Sequence, residues 1–228
     1  MAGDKMKPLM IHKHWEPRCI QHHDRWVNKS LPVYYRSQAN AWMTCDIFED
    51  WFVWHFIPDL KQYLKNKGLP FKALVILDNA SVHTKLSIED FPEVELMFLP
   101  PNSTSLCQPM DQSPNFVFKK NYIKEIMRKA VQKNDDGIPI SEFFKKFTIL
   151  DAMNATCKAW NEVSTETIAK SWHNLIENSI WETNDQNSEK ENSLLQDHTF
   201  QELNDCVGYT LEDIQDLIRE PVEGAHDS

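Results

Sequence analysis

The sequence predicts an α/β fold, in which helices cover a sheet. Five apolar residues follow one another at 73–77, which is typical of a parallel strand covered on both faces. A second strand is predicted at 94–99, where Pro100 stops it. Segments with apolar residues at near-helical spacing lie before and after these runs, at 44–67 and 115–132. Strands that alternate with helices in this way indicate a layered α/β architecture.

Further elements are predicted from shorter patterns on either side of these four. Apolar or alternating runs indicate two strands nearer the N-terminus, and helical patterns continue after residue 132. A serine or threonine before an apolar pattern is a typical helix cap. These elements are strands at 8–13 and 31–38, helices at 141–147 and 151–161, and a helix capped by Ser164 or Thr165 that runs to Glu177.

The helix predicted at 44–67 is unusually rich in aromatic residues. Thr44 or Asp46 is placed to cap its start, and Gly68 is placed to end it. Pro58 lies in its interior, where a proline removes one hydrogen bond and kinks or splits the helix. We expect the aromatic side chains to lie in the core or at an interface. The tryptophans concerned are Trp42, Trp51 and Trp54.

Composition favours a globular protein in a reducing compartment. The chain has 228 residues, of which 41% are hydrophobic, enough to bury a sizeable core. Its five cysteines are scattered without a Cys-x-x-Cys pair, a pattern typical of reduced thiols. No apolar run resembles a signal peptide or reaches the length of a membrane span. We therefore expect a soluble intracellular protein without a membrane partner.

The net charge of −10 is unevenly distributed. Residues 151–228 hold four basic and seventeen acidic side chains, whereas residues 61–150 hold thirteen and ten. The acidic end would repel phosphates, while the rest of the chain could approach DNA weakly. Residues 183–193 contain no apolar side chain, which indicates a flexible linker.

Two carboxylates stand at the ends of predicted elements. Asp78 follows the strand at 73–77, and Asp111 precedes the lysine-rich helix at 115–132. Side chains at the carboxyl ends of strands in open α/β sheets tend to carry function. Mg²⁺ takes one or two protein carboxylates together with phosphate oxygens, so the pair suits a metal site for phosphoryl transfer. The alternative is that Asp78 is an ordinary turn residue.

The motifs around these carboxylates resemble a known family, the DDE integrase-like domain of pogo/Tigger transposases and of the jerky and centromere-protein-B relatives derived from them. In combination and in order they are highly specific, and the resemblance covers about residues 4–178. The matching motifs are Leu77-Asp78-Asn79-Ala80 with His83, Leu99-Pro100-Pro101-Asn102-Ser103-Thr104-Ser105, and Gln108-Pro109-Met110-Asp111-Gln112.

The resemblance implies an RNase H-like (integrase-like) mixed sheet with flanking helices, followed by C-terminal helices and an acidic tail. The family's central first strand precedes the turn at residues 2–8, so we expect an N-terminally truncated domain that lacks this strand. The expected domains are 1–132 for a partial DDE integrase-like domain, 133–180 for its helical C-terminal extension, and 181–228 for a largely disordered acidic linker and tail.

The resemblance also assigns site residues. Asp78 matches the second catalytic acid of the family and Asp111 the third, both as ligands for Mg²⁺ or Mn²⁺. The first acid has no counterpart, so we expect these two positions to be vestigial. Asn79, His83 and Gln108 belong to the same motifs. His83 could touch a substrate phosphate or orient a carboxylate, and local hydrogen bonds are the simpler alternative.

A basic surface is predicted on the helix at 115–132. Lysines bind the phosphate backbone without reading sequence, so this surface could contact DNA, although such surfaces are more often merely solvated. The family's DNA-reading region has no counterpart in this chain, and we expect DNA binding to be weak. The basic residues are Lys119, Lys120, Lys124 and Arg128.

A zinc site is a weaker alternative at the N-terminal end of the chain. Histidine and cysteine are suitable zinc ligands, but they lack a second pair at finger-like spacing. No zinc is therefore expected. The residues concerned are His12, His14, Cys19, His22 and His23.

Three functions remain open from the sequence. The first is a transposase-derived, nucleic-acid-binding domain without nuclease activity. Its expected location is the nucleus, with the cytosol as the alternative. The second is a working Mg²⁺-dependent endonuclease or transposase. The third is a protein-interaction module or inert remnant, whose partner, such as a related full-length transposase-derived protein, could donate a strand to an open sheet.

Overall fold

The computed structural model describes most of the chain up to residue 175. The described residues are 3–20, 31–83, 86, 88–101, 103 and 107–175. The predicted linker at 183–193 and the predicted tail at 181–228 lie outside them. No helix within the described part is both long and apolar enough to cross a membrane.

The described residues form strands and helices in the alternating order that the sequence predicts. The strands are β1 (Leu9–His12), β2 (Tyr34–Ser37), β3 (Ala73–Leu77) and β4 (Val94–Phe98). The helices are α1 (Cys45–Trp51), a π-helical stretch (Phe52–Phe56), α2 (Ile57–Asn66), α3 (Pro114–Asp135), α4 (Ile140–Lys146), α5 (Ile149–Glu162) and α6 (Thr165–Ser171). The α/β prediction is therefore confirmed.

The sheet differs from the single mixed sheet that was expected. β1 pairs in parallel with β2, and β3 pairs in parallel with β4. Among the described residues these pairs form two separate two-stranded sheets, and both ladders are parallel. No described strand lies between the two pairs to join their hydrogen-bonded ladders.

The expectation that β3 is covered on both faces is wrong. Leu74 and Ile76 share one face of β3, and Met97 of β4, the register partner of Ile76, lies beside them. Leu74 is 51% exposed and Met97 is 48% exposed, so this face is open. Only the opposite face, with Val75 and Leu77, packs on the core. The apolar run correctly indicated a strand but did not determine how many of its faces are covered.

Two hydrophobic clusters, one for each sheet, make up the core. In the first, Val33 beside β2 packs with Met153 of α5, and both are fully buried. In the second, Phe48 and Phe52 pack with Val94 of β4. Each pair of strands is therefore stabilised by its own helix, and the two clusters share no buried residue.

The aromatic helix begins at Cys45 and continues past Pro58. Thr44 caps it, because its side chain accepts a hydrogen bond from the Ile47 backbone N–H at 3.3 Å. The π-helical stretch Phe52–Phe56 precedes the proline, and such a wider turn accommodates a residue that cannot donate to the helical ladder. The helix then ends at Asn66, and Gly68 adopts a φ of +68°.

The sequence predicts the tryptophans near α1 in the core or at an interface, and two of the three lie outside the core. Trp42 is 73% exposed and Trp54 is 69% exposed. Trp51 instead packs against Phe48 and Phe56, with ring centroids 5.8 and 5.4 Å away. The aromatic content exceeds what one helical face can bury, so the remainder lies at the surface.

The segment 3–7 is fixed against the C-terminal end of α5. The Lys5 ammonium donates to the backbone carbonyls of Trp160 at 2.6 Å, of Asn161 at 3.0 Å, and of Val163. Gly3 has a φ of +67°, and a Cβ at this position would lie 2.2 Å from the Thr165 carbonyl oxygen. Only glycine fits there.

Candidate functional site

Asp78 lies immediately after β3, and a local turn holds its carboxylate. Its Oδ1 atom accepts a hydrogen bond from the Ala80 backbone N–H at 3.2 Å. The same oxygen lies 2.6 Å from Nδ1 of His83. The Asp78 side chain is 23% exposed and that of His83 is 19% exposed, so solvent still reaches both. The apolar strand ends here because the chain turns at the sheet edge.

His83 is positioned by contacts on three sides. Its backbone N–H donates to the Ala80 carbonyl at 2.9 Å, which closes the turn. Its ring packs against Phe48 of α1, with centroids 4.5 Å apart. Its Nδ1 atom points at Asp78. Helix α1 therefore packs against the ring that contacts the Asp78 carboxylate. This geometry is compatible both with an orienting role for His83 and with the simpler alternative of local hydrogen bonds.

Asp111 lies on a different kind of element, a single 3₁₀ turn at Pro109–Asp111 that leads into α3. Its Oδ1 atom accepts a hydrogen bond from the Asn115 side-chain amide at 2.8 Å, and the side chain is exposed. Gln108 precedes the turn, and its Oε1 atom is buried without a hydrogen-bond partner among the described residues. Asn79 is exposed beside Asp78.

The described residues do not supply a complete ligand set for a two-ion site. A two-metal centre requires several carboxylates around ions about 4 Å apart, whereas no group of three or more His, Cys, Asp or Glu side chains in the described part is arranged to hold a metal. Asp4 accepts from the Tyr63 hydroxyl at 2.6 Å and lies 3.6 Å from the Lys67 ammonium, so it is engaged elsewhere.

The N-terminal histidines contact one another rather than a cysteine partner. The His12 and His14 rings lie 5.4 Å apart, and the His12 Nδ1 atom accepts from the His14 backbone N–H at 3.2 Å. The Tyr35 hydroxyl lies 3.3 Å from the same nitrogen. Cys19 lies in a short 3₁₀ turn, and His22 and His23 fall outside the described residues.

The basic surface of α3 contains a structural centre that the sequence did not predict. Glu125 is only 5% exposed, and its carboxylate receives hydrogen bonds from Arg128 at 3.0 Å and from Lys158 of α5 at 2.5 Å. The Lys129 ammonium lies 3.7 Å away. Arg128 therefore pairs within α3, and Lys158 is the partner that joins α3 to α5. Lys124 is exposed and Lys119 is half-buried. The spacing of charges on α3 indicated its basic side but not a buried acid within it.

Burial and ion pairing act on Glu125 in opposite directions. Burial raises the pKa of its carboxyl group, but hydrogen bonds from Arg128 and Lys158 outweigh this effect and hold the pKa below its ordinary value of 4.5. Glu125 is therefore ionised at neutral pH, and it couples α3 to α5.

A family model described as "DDE superfamily endonuclease" matches residues 1–172. The chain is 31% identical over 179 residues to the human Jerky protein homolog, which covers 76% of this chain and 29% of that protein. It is 28% identical over 189 residues to the human Tigger transposable element-derived protein 7, covering 75% of the chain and 33% of that protein. No solved structure matches. The chain thus spans about a third or less of these relatives.

Proposed function

The chain belongs to the DDE superfamily endonuclease family, and from this premise we propose that it is a transposase-derived domain that binds nucleic acid weakly and does not cleave it. The similarity to Jerky and Tigger transposable element-derived proteins supports the derivation. A nuclear location is part of the same proposal, because DNA would be the ligand.

The observation that carries the proposal is the short set of metal ligands. By resemblance, Asp78 and Asp111 match two of the family's three acids, and no group of three or more His, Cys, Asp or Glu side chains among the described residues could hold a metal. A two-ion clamp with one carboxylate fewer lacks charge stabilisation worth several kcal/mol in the transition state. At about 1.4 kcal/mol per factor of ten, cleavage would be slowed by several orders of magnitude.

The nucleic-acid contact is proposed for the basic surface of α3. Lys119, Lys120 and Lys124 supply ammonium groups that could approach a phosphate backbone. Arg128 contributes less, because it already pairs with the buried Glu125. So few basic groups support sequence-independent, salt-sensitive binding and no reading of base edges.

The proposal is tested by incubating the full chain with supercoiled plasmid and with single-stranded DNA, in millimolar Mg²⁺ and then Mn²⁺. We expect the same background of nicking for the native chain and for Asp78→Asn and Asp111→Asn variants. Metal-dependent cleavage that both variants abolish would contradict the proposal and favour the endonuclease alternative.

A control variant tests whether DNA binding depends on the basic surface of α3 or only on the total positive charge of the chain. The Lys65→Gln, Lys72→Gln and Lys145→Gln triple variant removes three charges away from α3. We expect it to bind DNA as the native chain does.

A further inference from the structure

Helix α3 carries more positive charge than its own acidic side chains neutralise. It contains six basic and two acidic side chains. Towards its C-terminal end the cations have acidic partners: Glu125 pairs with Arg128 and Lys129, and Asp136 pairs with Lys133. The remaining excess of charge therefore lies towards the N-terminal half of the helix.

The lysines of that half form the basic surface of α3. Within the described part of the chain, ion pairs are found at later cations of the helix but not at Lys119 or Lys124. Lys120 and Lys124 are four residues apart, a spacing at which like charges face the same side and destabilise a helix. A ligand with several negative charges would relieve this repulsion.

A segment of suitable charge lies later in the same chain, outside the described residues. Residues 202–216 contain five acidic side chains and no basic one. The acidic residues are Glu202, Asp205, Glu212, Asp213 and Asp216. This segment is therefore complementary in charge to the basic surface of α3.

The described part of the chain ends close to α3. Helix α6 packs against α3, and the 3₁₀ turn His173–Leu175 follows it. Glu202 lies 27 positions after Leu175. A coil of that length spans about 30 Å on average, and the 22 residues of α3 span about 33 Å. The acidic segment is thus within reach of the whole helix.

We propose that residues 202–216 bind the basic surface of α3 within the same chain and compete with nucleic acid for it. Their carboxylates take the positions of phosphate groups beside Lys119, Lys120 and Lys124. The contact is ionic, so it weakens as salt increases. The competition rests on the proposed nucleic-acid binding, whereas the internal contact does not depend on it.

The internal contact lowers the affinity for DNA without abolishing it. Each exposed ion pair is weak, but the connecting chain gives the acidic segment an effective concentration on the order of millimolar. Only molecules with a vacant α3 surface can bind DNA, so the apparent Kd is the intrinsic Kd divided by the vacant fraction. A fivefold rise in Kd corresponds to an occupied fraction of about four-fifths.

Carbodiimide cross-linking of the full chain without DNA tests the internal contact. The reagent joins a carboxylate to an amine only where the two touch, and mass spectrometry of the monomer band identifies the pair. We expect links from residues 202–216 to the three lysines of the basic surface at 50 mM salt, and their loss at 500 mM. Lys65 and Lys72 are exposed lysines outside α3, so they are the internal controls and should form at least fivefold fewer links.

Anisotropy titrations with a 20-base-pair duplex test the competition. The triple variant Glu212→Gln, Asp213→Asn and Asp216→Asn removes three charges from the acidic segment of the full chain. We expect it to bind the duplex about fivefold more tightly than the native chain at 50 mM salt. At 200 mM salt the difference should fall below twofold, because screening weakens the internal contact.

A second triple variant controls for the total charge of the chain. Glu89→Gln, Asp90→Asn and Glu93→Gln remove three exposed acidic groups ahead of β4. The change in net charge is the same, but no part of the acidic segment is altered. We expect its affinity for the duplex to stay within twofold of that of the native chain.

The two experiments distinguish failure of this proposal from failure of nucleic-acid binding. Absent cross-links, links spread evenly over α3 and the control lysines, or links found only in a covalent dimer would overturn the internal contact. Equal gains in affinity for the two triple variants would mean general charge repulsion and would overturn the competition. No binding of the duplex by any variant would refute the nucleic-acid function together with the competition, while the cross-links would still decide the internal contact.

Discussion

Glu125 shows how a single buried charge can organise two helices. It is nearly inaccessible, and its partners come from α3 and α5. Breaking a buried ion pair by removing one partner is costly, because charges are left without compensation. Here the three cations are partly exposed, which limits that cost.

We predict that Glu125→Gln lowers the free energy of unfolding by about 2 kcal/mol at pH 7. The folded-state pKa of Glu125 lies below its ordinary value of 4.5, so the ionised group stabilises the fold above that pH. The difference between variant and native chain should shrink as the pH falls below 4.5. Urea unfolding at pH 7 and pH 4 measures it.

The exposed pair Glu142–Lys146 provides the control for this prediction. Its side chains are 47% and 70% exposed, and exposed pairs of this kind contribute well under about 1 kcal/mol. Glu142→Gln should therefore change the free energy of unfolding little at either pH. Equal losses of stability in both variants would show that Glu125 has no special structural role.

His55 is a second residue whose surroundings have a measurable consequence. Burial, and then the nearby Arg36 guanidinium, lower the pKa of its imidazole below the ordinary value of 6.5. Lys7 acts in the same direction, while Asp50 and Asp59 oppose it. The neutral imidazole is thus favoured by folding, and the unfolded chain takes up a proton first as the pH falls.

We predict that the free energy of unfolding decreases as the pH falls from 7 to 5, in part through His55. His55→Phe preserves the stacking on Tyr34, whose ring centroid lies 4.0 Å away, and should flatten this dependence. His14 is exposed, so the variant His14→Gln serves as the control and should retain the pH dependence of the native chain. Melting temperature against pH measures the effect, and an unchanged slope in His55→Phe would refute it.

At the scale of elements, helix α5 depends on a lysine from the start of the chain. The carbonyls at the end of a helix have no partners within it, and a cation there also interacts favourably with the helix dipole. Lys5 donates three hydrogen bonds to carbonyls at this end of α5. In the opposite direction, the Trp160 indole N–H donates to the Met6 carbonyl at 2.8 Å.

We predict that Lys5→Met destabilises the chain by about 1–2 kcal/mol, because the methionine keeps the aliphatic stem but cannot donate. Lys13→Met, at an exposed position after β1, is the control and should change the free energy by less than about 0.5 kcal/mol. Denaturant unfolding followed by tryptophan fluorescence measures both. If Lys5→Met left the free energy of unfolding unchanged, water would be satisfying these carbonyls as well as the lysine does.

The basic surface of α3 gives an element-scale prediction about DNA. The triple variant Lys119→Gln, Lys120→Gln and Lys124→Gln should weaken binding to a 20-base-pair duplex. The slope of log affinity against log salt should become shallower by about 0.9 for each phosphate that the variant no longer neutralises. Anisotropy titrations at 50, 100 and 200 mM salt measure the slope. An unchanged slope would exclude α3 as the DNA-binding surface.

At the scale of the whole molecule, the described residues form two small sheets with separate hydrophobic clusters that share no buried residue. A ligand that binds only the folded state raises the melting temperature by mass action. We predict a single cooperative transition that millimolar Mn²⁺ does not raise, in the native chain and in Asp78→Asn alike. A rise in the native chain that Asp78→Asn abolishes would contradict this and indicate a metal site at Asp78.

The sequence by itself determined the elements and the family. The apolar run at 73–77, the cap at Thr44 and the helical spacing at 115–132 are local patterns, and local backbone preferences decide them. The motifs around Asp78 and Asp111 identified the DDE family because they depend on residue identity and order, which a sequence displays directly.

Only the tertiary structure decided which surfaces meet. The open face of β3, the exposure of Trp42 and the burial of Glu125 all depend on contacts between residues far apart in the chain. Burial is a property of the assembled layers, and the same apolar run is compatible with one covered face or two. The sequence indicated a turn at Asp78 as one alternative. It did not indicate that Phe48 packs against His83, which in turn contacts Asp78, because α1 and this turn come together only in the folded chain.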